Sequence, residues 1–373
     1  MTGTASDVLV VGGGLVGSAV AWGLARAGIT VCLLDEGDDA IRASRGNFGL
    51  VWVQGKGDGM PEYAAWTRAS AERWPDLAEI IGEHDGIDVV LRQPGGIEPC
   101  LDEAEWAERE LQVRRMHNQP GVGGNDFRMI SAADARALEP ALGPEVVGAG
   151  YCPHDGHVNP LFLLRGLHAG LARQGVDHRL DHRVESVRSE GSGFVVETGM
   201  GALRTGRVVL AAGLGNGRLG PMVGLDVPTE AERGHILVTE RLTPLLSHPM
   251  ARLRQTGEGT VMIGASADRV GLDTSLDMAT AAALAARARR VVPALGRARL
   301  VRSWAALRIM SPDGFPIYAE SEAHPGAFVV TCHSGVTLAA IHALDLALAI
   351  LETGFNDRYS AFHPRRFSGA EAA

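Results

Sequence analysis

Two short apolar runs frame the first helix-like segment of the chain. Residues 7–11 read DVLVV and residues 29–34 read ITVCLL, and both have the length and β-branched content of buried strands. Residues 15–27 between them have helical length and carry small residues on one side, and Gly28 stands where a helix C-cap is expected. The pattern predicts strand, helix, strand, the unit from which parallel sheets are built.

A different pattern follows later in the chain. Residues 233–240 (RGHILVTE), 260–266 (TVMIGAS) and 300–307 (LVRSWAAL) alternate apolar and polar positions, which is typical of antiparallel strands. Residues 89–101 (VVLRQPGGIEPCL) predict a hairpin with PGG as its turn. Apolar strands at 208–212 and 328–332 flank the alternating segments, so the antiparallel sheet is expected to be interleaved with the first unit rather than appended to it.

The turn after the first strand carries candidate chemistry. Gly12, Gly14 and Gly17 form a GxGxxG pattern, and Asp35 ends the second strand 23 residues after the first glycine. Such glycines let the backbone approach a pyrophosphate at the positive end of the helix, and the acid accepts a hydrogen bond from a ribose hydroxyl. An acid at this place disfavours NADP. The motif predicts a dinucleotide site, and a glycine turn without a ligand is the alternative.

The loop at 42–57, RASRGNFGLVWVQGKG, indicates which dinucleotide binds. A nicotinamide fold does not require a basic loop with Ser and Asn directly after the acid, whereas a longer cofactor could use it. Ser44, Asn47 and the backbone near Gly49 are expected to reach the pyrophosphate and the isoalloxazine, and Arg42 or Arg45 the adenosine or the phosphates. We therefore predict FAD. Residues 51–56 run past the flavin and are expected to face the substrate or a partner protein.

Together these patterns predict an α/β fold in which a Rossmann-like FAD-binding domain is interleaved with an antiparallel-sheet substrate domain. The predicted FAD-binding domain comprises residues 1–85, 147–222 and 305–373. The predicted substrate domain comprises residues 86–146 and 223–304. A strand that runs into the turn 333–335 and then a helix would direct free N–H groups toward the flavin.

Charge and cysteine content exclude several other classes. The net charge is −9 and Lys and Arg form no long run, so nucleic-acid binding is not expected. The 4 cysteines form no CxxC pair, so we predict no metal site and a reduced, cytoplasmic location. No signal peptide is recognisable at the N-terminus. The most apolar late segment, 336–351, contains His342 and Asp345 and is expected to be a buried helix rather than a membrane span.

Over essentially its full length the chain resembles the glycine oxidase/D-amino-acid oxidase (DAO) family of FAD enzymes, two-domain flavoproteins with a glutathione-reductase-like fold. The resemblance rests on VVGGGLVG, LLDEG, ASRGN, VVLAAG, CHSGVTLAAIHA and, most specifically, SWAALRIMSPDGFPI at 303–317. In that last segment Ala306 replaces the usual glycine. ASRGNFGLVW and CHSGVTLA are most similar to the β subunits of opine oxidases, D-hydroxyproline dehydrogenases and hydrogen-cyanide synthases.

The resemblance implies roles for individual residues. Arg308 stands where family members hold the substrate carboxylate, and a structural ion pair is its alternative role. His333, His235 and His157 are further substrate-side candidates, although for His157 a histidine in a turn is the default expectation. Cys332 could bond to the flavin, but we expect non-covalent FAD. The residues expected to contact FAD are Gly12, Gly14, Leu15, Val16, Gly17, Asp35, Glu36, Arg42, Ser44, Arg45, Asn47, Gly49, Val184, Ala212, Gly213, Gly335, Val336, Thr337 and Leu338.

The reaction that the resemblance implies is oxidation of the C–N bond of an amino acid, imino acid or opine. Hydride would pass from Cα to flavin N5, and the imine would hydrolyse to a keto acid. The first hypothesis is the catalytic β subunit of a hetero-oligomeric dehydrogenase, whose partner subunits carry iron–sulfur or additional flavin centres. The alternatives are a stand-alone oxidase that makes H₂O₂ and a flavin-bearing scaffold protein. A nicotinamide dehydrogenase is a weaker alternative.

Overall fold

The structure is a computed structural model, and it describes residues 6–37, 42–121, 126–264 and 266–368. Its strands are β1 (Ser6–Val11), β2 (Val31–Leu34), β3 (Leu50–Val51), β4 (Gly96–Cys100), β5 (Arg128–Ser131), β6 (Gly148–Cys152), β7 (Gly156–His157), β8 (Asp177–Arg179), β9 (Val184–Glu190), β10 (Gly193–Thr198), β11 (Gly201–Leu210), β12 (Glu230–Arg241), β13 (Leu253–Gln255), β14 (Thr260–Ile263), β15 (Leu300–Met310), β16 (Ile317–Glu320) and β17 (Ala327–Thr331).

The helices lie between these strands in an α/β order. They are α1 (Leu15–Arg26), α2 (Pro61–Asp85), α3 (Glu103–His117), α4 (Ala132–Leu138), α5 (Pro160–Arg173), α6 (Asn216–Leu219), α7 (Met278–Val291), α8 (Ala339–Ile341), α9 (Ala347–Ala349) and α10 (Phe355–Arg358). A π-helical turn over His342–Leu346 joins α8 to α9.

The larger sheet has the order β16-β17-β11-β1-β2-β8, and β10 and β9 extend from the first half of the long strand β11. The strands from β17 to β8 are parallel, whereas β16, β10 and β9 run antiparallel to their neighbours. Both faces of β1 are covered. Val8 and Val10 belong to the core on the helical side, and Leu9 and Val11 belong to the core beneath β9 and β10. Burial on two faces explains why this strand is continuously apolar.

A second layer is built from antiparallel strands. One group has the order β13-β14-β12-β15, and a second group has the order β4-β6-β5. A bridge between Ile97 and Met250 connects them, and α7 covers their shared core through Leu284 and Ala288. The chain enters this layer twice, at β4–β6 and at β12–β15, between elements of the first sheet. The predicted α/β fold with interleaved sheets is confirmed.

Some details differ from the sequence prediction. The hairpin predicted over residues 89–101 is wrong, because β4 pairs with β6 and its upstream segment contributes only a bridge from Arg92 to His157. Gly95 has a φ of +96°, and the Tyr151 ring lies where its Cβ would stand, so the PGG bend packs against β6. In addition, β6 pairs with substrate-side strands and β15 continues to Met310. The domain boundaries themselves stay a prediction.

The described ranges contain no helix that is both long and apolar enough to traverse a bilayer. Across the same ranges, no three His, Cys, Asp or Glu side chains are grouped in a way that could hold a metal ion. All four cysteines are buried free thiols.

The packing of α1 against the π-helical turn makes a testable prediction about stability. A Cβ at Gly23 would lie 2.1 Å from the Ala343 carbonyl oxygen, whereas a Cβ at Gly82 in α2 meets no atom within 4 Å. We expect Gly23→Ala to lower the free energy of unfolding by about 1–3 kcal/mol through overpacking. Gly82→Ala should raise it by about 0.5–1 kcal/mol through helix propensity. Urea unfolding of both variants and the wild type measures the two changes in the free energy of unfolding. If both substitutions changed it in the same direction and by the same amount, the packing argument would be contradicted.

Candidate active site

The glycine turn after β1 is closely packed against the end of β11. Gly12 has a φ of +109°, and a Cβ there would lie 2.5 Å from the Ala211 carbonyl oxygen. A Cβ at Gly17 would lie 2.0 Å from the Gly12 carbonyl oxygen. Neither position therefore accommodates a side chain without moving backbone. The turn is fixed at the point where α1 begins, which is the arrangement that a pyrophosphate requires.

The N-terminus of α1 is suited to an anion. Gly14 occupies the N-cap position without a side-chain cap, and the first turn of the helix contains no acid. The hydroxyl of Ser44 accepts the N–H of Leu15 at 2.9 Å. Ser44 therefore lies at the positive helix end, as the sequence predicts for a residue near the pyrophosphate.

The acid at the end of β2 closes the same turn. Asp35 accepts the N–H groups of Gly13 at 2.7 Å and of Gly37 at 2.9 Å. A carboxylate has about four acceptor sites, so Asp35 retains capacity for a ribose hydroxyl. The next residue, Glu36, forms an ion pair with Arg42 and lies 3.7 Å from Arg183.

The remaining predicted adenosine-side residues are at the same end of the sheet. The backbone of Asp35 donates to Arg179 at the end of β8 and accepts from His182 in the segment that leads into Val184 at the start of β9. Ala212 and Gly213 follow β11 beside the turn of Gly12, and Gly213 has a φ of +59°. The structure thus brings the predicted residues from four strand ends together, although their contacts with FAD stay a prediction.

The loop after the acid folds back on itself before it crosses the sheet edge. The Asn47 side-chain oxygen accepts the N–H of Gly49 at 2.7 Å, so it stabilises the loop locally. Gly49 has a φ of +90°, and a Cβ there would lie 2.6 Å from the Val158 carbonyl oxygen. Trp304 on β15 donates to the carbonyl of Gly46 at 3.3 Å. Arg45 lies in this turn, between Ser44 and Gly46.

Three segments far apart in sequence meet above α1. A Cβ at Gly335 would contact Leu15 and Val16 at 3.8 and 3.5 Å. The Thr337 hydroxyl accepts the Trp52 N–H at 3.2 Å and donates to the Leu50 carbonyl at 3.3 Å. The neighbouring residues Val336 and Leu338 are buried. The glycine turn, the loop at 42–57 and the segment 333–338 therefore form one site.

A cavity of about 310 Å³ opens next to this junction. Its wall comes from the loop after β3, from α2 and α3, from β4, from the segment before β16 and from the segment after β17. The lining residues are Gln54, Gly55, Lys56, Gly57, Tyr63, Glu98, Arg109, Gln112, Gly314, Phe315 and His333. Since the cavity adjoins the predicted flavin segment, it is the candidate substrate pocket.

A compact hydrogen-bond network forms one wall of the cavity. The Lys56 Nζ lies 2.8 Å from His333 Nε2 and donates to Ser334 Oγ at 2.7 Å. Tyr63 donates to the same Ser334 oxygen at 2.8 Å. Burial lowers the pKa of Lys56 to about 8, and burial together with Lys56 and Arg308 lowers the pKa of His333 well below its usual value. His333 is therefore a neutral acceptor at neutral pH.

Arg308, the predicted carboxylate anchor, lies near this network on β15. Its Nη1 donates to Glu232 at 2.7 Å and to the Ser266 carbonyl at 2.7 Å. Among the described residues, neither Nη2 nor Nε donates to a protein acceptor, so one edge of the guanidinium remains available to a carboxylate. A Cβ at Gly234 would lie 2.6 Å from Nη2, so glycine at this position leaves room for the guanidinium.

Two of the predicted histidines lie elsewhere. Arg308 on β15 is paired with Glu232 on β12, so their side chains are on the same face of the sheet. His235 is an odd number of residues from Glu232 and therefore projects from the opposite face. It is fully buried, and its ring contacts Ser266 at 2.9 Å and accepts the Asp277 N–H at 3.0 Å at the start of α7. His157 on β7 lies 3.4 Å from Arg254, and burial lowers its pKa to about 3. These positions favour structural roles over the substrate contacts that the sequence suggested.

Several pocket residues carry no recognisable signal in the sequence. Glu98 on β4 forms an ion pair with Arg109 on α3, and Gln112 accepts from Arg109 at 2.5 Å. The sequence of α3 resembles a fully solvated charged helix, so its pocket-facing residues could not be recognised. Asp155 is also unpredicted. It is fully buried and accepts the N–H groups of Val53 and Gln54, which fixes the loop that carries Lys56.

Comparison with known proteins agrees with this geometry. Residues 7–348 match the family model DAO, described as FAD dependent oxidoreductase. The chain belongs to the DAO family of FAD-dependent oxidoreductases. It is 44% identical over 368 residues to an opine oxidase subunit of Agrobacterium tumefaciens, covering 98% of this chain and 99% of the relative. It is 43% identical over 366 residues to the Rhizobium meliloti protein of the same name, again covering 98% and 99%.

Among solved structures, the chain is similar to glycine oxidase from Geobacillus kaustophilus. The TM-score is 0.85 at 27% sequence identity, with 96% of this chain and 98% of the other covered. The predicted cofactor, FAD, is confirmed by the family. The closely packed glycine turn and the start of α1, whose N-cap Gly14 has no capping side chain, fit its pyrophosphate. Burial raises the pKa of Cys332 to about 12, which keeps its thiol protonated, and the non-covalent attachment of FAD stays a prediction.

The buried carboxyl group of Asp155 predicts a pH dependence of stability. Burial raises its pKa to about 7 in the folded chain, against about 3.9 in an unfolded chain. Between these values the folded state binds more protons, so the contribution of Asp155 to stability becomes less favourable as pH rises from about 4 to about 7. Unfolding of the wild type and of Asp155→Asn across this range should show their difference change by up to roughly 4 kcal/mol and then level off. A difference independent of pH would contradict the assignment.

Proposed function

We propose that this FAD-dependent oxidoreductase oxidises the C–N bond of an amino acid, imino acid or opine. The observation that carries the proposal is the available edge of Arg308, a guanidinium close enough to His333 and Lys56 at the pocket wall to lower the pKa of both. A guanidinium with one edge fixed by Glu232 and the other available holds a carboxylate in one orientation. The relatives named as opine oxidase subunits, which match along nearly their whole length, support an opine as the substrate.

The residues of the chain have distinct parts in this reaction. Arg308 fixes the carboxylate, and this holds the adjacent Cα at one place in the pocket, where orientation contributes several kcal/mol to rate. His333 stays neutral and so adds no charge at the pocket wall. Asp155 and Thr337 hold the loop that lines the pocket. Bound FAD supplies the hydride acceptor. The product is an imine, whose hydrolysis gives a keto acid.

We further propose that the chain is the β, catalytic, subunit of a hetero-oligomeric dehydrogenase, whose partner subunits carry iron–sulfur or additional flavin centres. The two relatives at 44% and 43% identity are each named as one subunit of an oxidase. Within the described ranges, β15 is an edge strand of its sheet, and Leu300 and Val301 at its start are 49% and 63% exposed. An exposed apolar edge strand is a surface that a partner chain can cover.

The role of Arg308 has a direct test. Arg308→Ala should raise the Kd of the substrate about 100-fold or more, because hydrogen bonds to charged groups contribute about 1.5–3 kcal/mol each. FAD content should stay unchanged. Anaerobic flavin reduction at increasing substrate concentration gives the Kd. Arg299→Ala is the matched control, since Arg299 is an exposed arginine near the start of the same strand that pairs with Glu240. Unchanged affinity in Arg308→Ala would refute the assignment.

The fate of the electrons separates the hetero-oligomer proposal from its alternatives. We expect the isolated chain to be reduced anaerobically by at least one compound among D- and L-amino acids, sarcosine, hydroxyproline isomers and opines. Its turnover with an artificial dye should then exceed its release of H₂O₂. Peroxide release as fast as dye reduction would favour a stand-alone oxidase. If none of these compounds reduced the flavin, the remaining hypothesis would be a flavin-bearing scaffold protein without turnover of its own.

A further inference from the structure

Lys56 stands on the pocket wall with an incompletely used ammonium group. It lies in the turn between Gly55 and Gly57, whose φ angles are +73° and +77°. Its two partners among the described residues, His333 and Ser334, are neutral. An ammonium has three donors, so one remains for a ligand in the pocket.

The acids near the pocket are all engaged by other groups. Glu98 pairs with Arg109, and Glu232 pairs with Arg308 at 2.7 Å. Asp155 accepts the backbone N–H groups of Val53 and Gln54 and the side-chain amide of Gln54. Within the described ranges, no carboxylate lies within ion-pair distance of Lys56. Among the described residues, Lys56 therefore has no carboxylate in ion-pair contact, and Asp155 acts on it only from a longer distance.

A partly buried cation without a counter-charge is costly to keep. Its desolvation already lowers the pKa of Lys56 to about 8. The other ionisable groups around it are Tyr63, Cys332, His333, Arg308 and Asp155. Burial raises the pKa of Tyr63 and of Cys332 above neutral pH, so neither supplies a negative charge. An anionic group of a ligand would balance the charge of Lys56 at this position.

We propose that Lys56 binds a second carboxylate of the substrate, so that the chain selects secondary amines flanked by two carboxylates. This inference rests on the proposed function, in which Arg308 binds the first carboxylate. Arg308 does not line the cavity itself, but it lies close enough to Lys56 and His333 to lower the pKa of both. A cavity of about 310 Å³ is at the lower end of ligand pockets and has room for a ligand larger than a simple amino acid.

If Lys56 binds the second carboxylate, that carboxylate lies in the polar part of the cavity that Gln54, Lys56 and Gln112 line. Gln112 on α3 is 3.2 Å from where a Cβ of Gly55 would stand, so α3 faces the Lys56 turn directly. Arg115 on the same helix pairs with Asp58 and fixes the far side of the turn. The lysine is thus held by the backbone on both sides while its side chain borders the cavity, which suits a specificity-determining residue.

The experiment compares ligands that differ only in the second charge. Iminodiacetate and N-(1-carboxyethyl)alanine are each measured against their monoamides, in which one carboxylate becomes an uncharged carboxamide of the same size. The FAD-loaded chain, with any partner proteins that co-purify, is titrated anaerobically by flavin reduction or spectral perturbation. We expect the wild type to bind each dicarboxylate about 10- to 100-fold more tightly than its monoamide.

Three variants test whether Lys56 is the cause. Lys56→Met should reduce this preference to less than about 3-fold, and Lys56→Arg should restore most of it. Arg114→Met removes an exposed cation of α3 that pairs with Glu110 and not with the Lys56 turn, and it should leave the preference unchanged. In the wild type the preference should decline as pH rises above about 8, whereas in Lys56→Arg it should persist to higher pH. FAD content and circular dichroism confirm that each variant folds.

Several outcomes would overturn the inference. The first is that the wild type binds the dicarboxylates no more tightly than their monoamides. The second is that Lys56→Met keeps the preference. The third is that Lys56→Met loses the same affinity for the dicarboxylate and for its monoamide. The last result would make Lys56 a counter-charge of the cofactor instead. If monocarboxylate amines still reduce the flavin in these cases, the proposed function stands and only the role of Lys56 fails. If no amine reduces the flavin, the proposed function fails first.

Discussion

The hydroxyl of Thr337 connects two parts of the chain that the rest of the site depends on. It accepts from the backbone of Trp52 and donates to the backbone of Leu50, while the carbonyl of Thr337 accepts the side chains of Ser70 and Trp74 on α2. This one residue therefore holds the loop after β3, the segment before α8 and the long helix α2 in one arrangement. The position of Lys56 beside His333 and Ser334 is a direct result, because both sides of that contact are fixed at Thr337.

Charge is distributed unequally between the two sides of the site. On the cofactor side the start of α1 contains no acid, and Asp35 is bound to backbone N–H groups. On the substrate side Arg308 is held by Glu232, whereas the partners of Lys56 within the described ranges are neutral. The chain thus presents positive potential where a pyrophosphate belongs and again where the proposed function puts the anionic groups of the substrate. Partly desolvated sites strengthen such interactions relative to water.

Local signals in the sequence were sufficient for much of the fold and for the cofactor side of the site. Strand length, the glycine spacing and Asp35 predict elements that lie within about 30 residues of one another, and the structure assembles them as expected. The substrate side depends on register between distant strands. His235 and Arg308 lie 73 residues apart, and only the pairing of Glu232 with Arg308 decides that they project from opposite faces. Likewise, no local pattern distinguishes Arg109 from the solvated arginines of α3.

A substitution at Gly234 can change the position of Arg308 without replacing Arg308 itself. The missing side chain of Gly234 is the space that the Arg308 guanidinium occupies, so any larger residue at 234 has to displace that group. If Arg308 holds the substrate carboxylate as proposed, a substitution at 234 alters that contact by moving the guanidinium. Under the proposed function, laboratory evolution toward amines without a carboxylate is expected to find early variants at residue 234, because a larger side chain there displaces the guanidinium while the chain keeps its arginine.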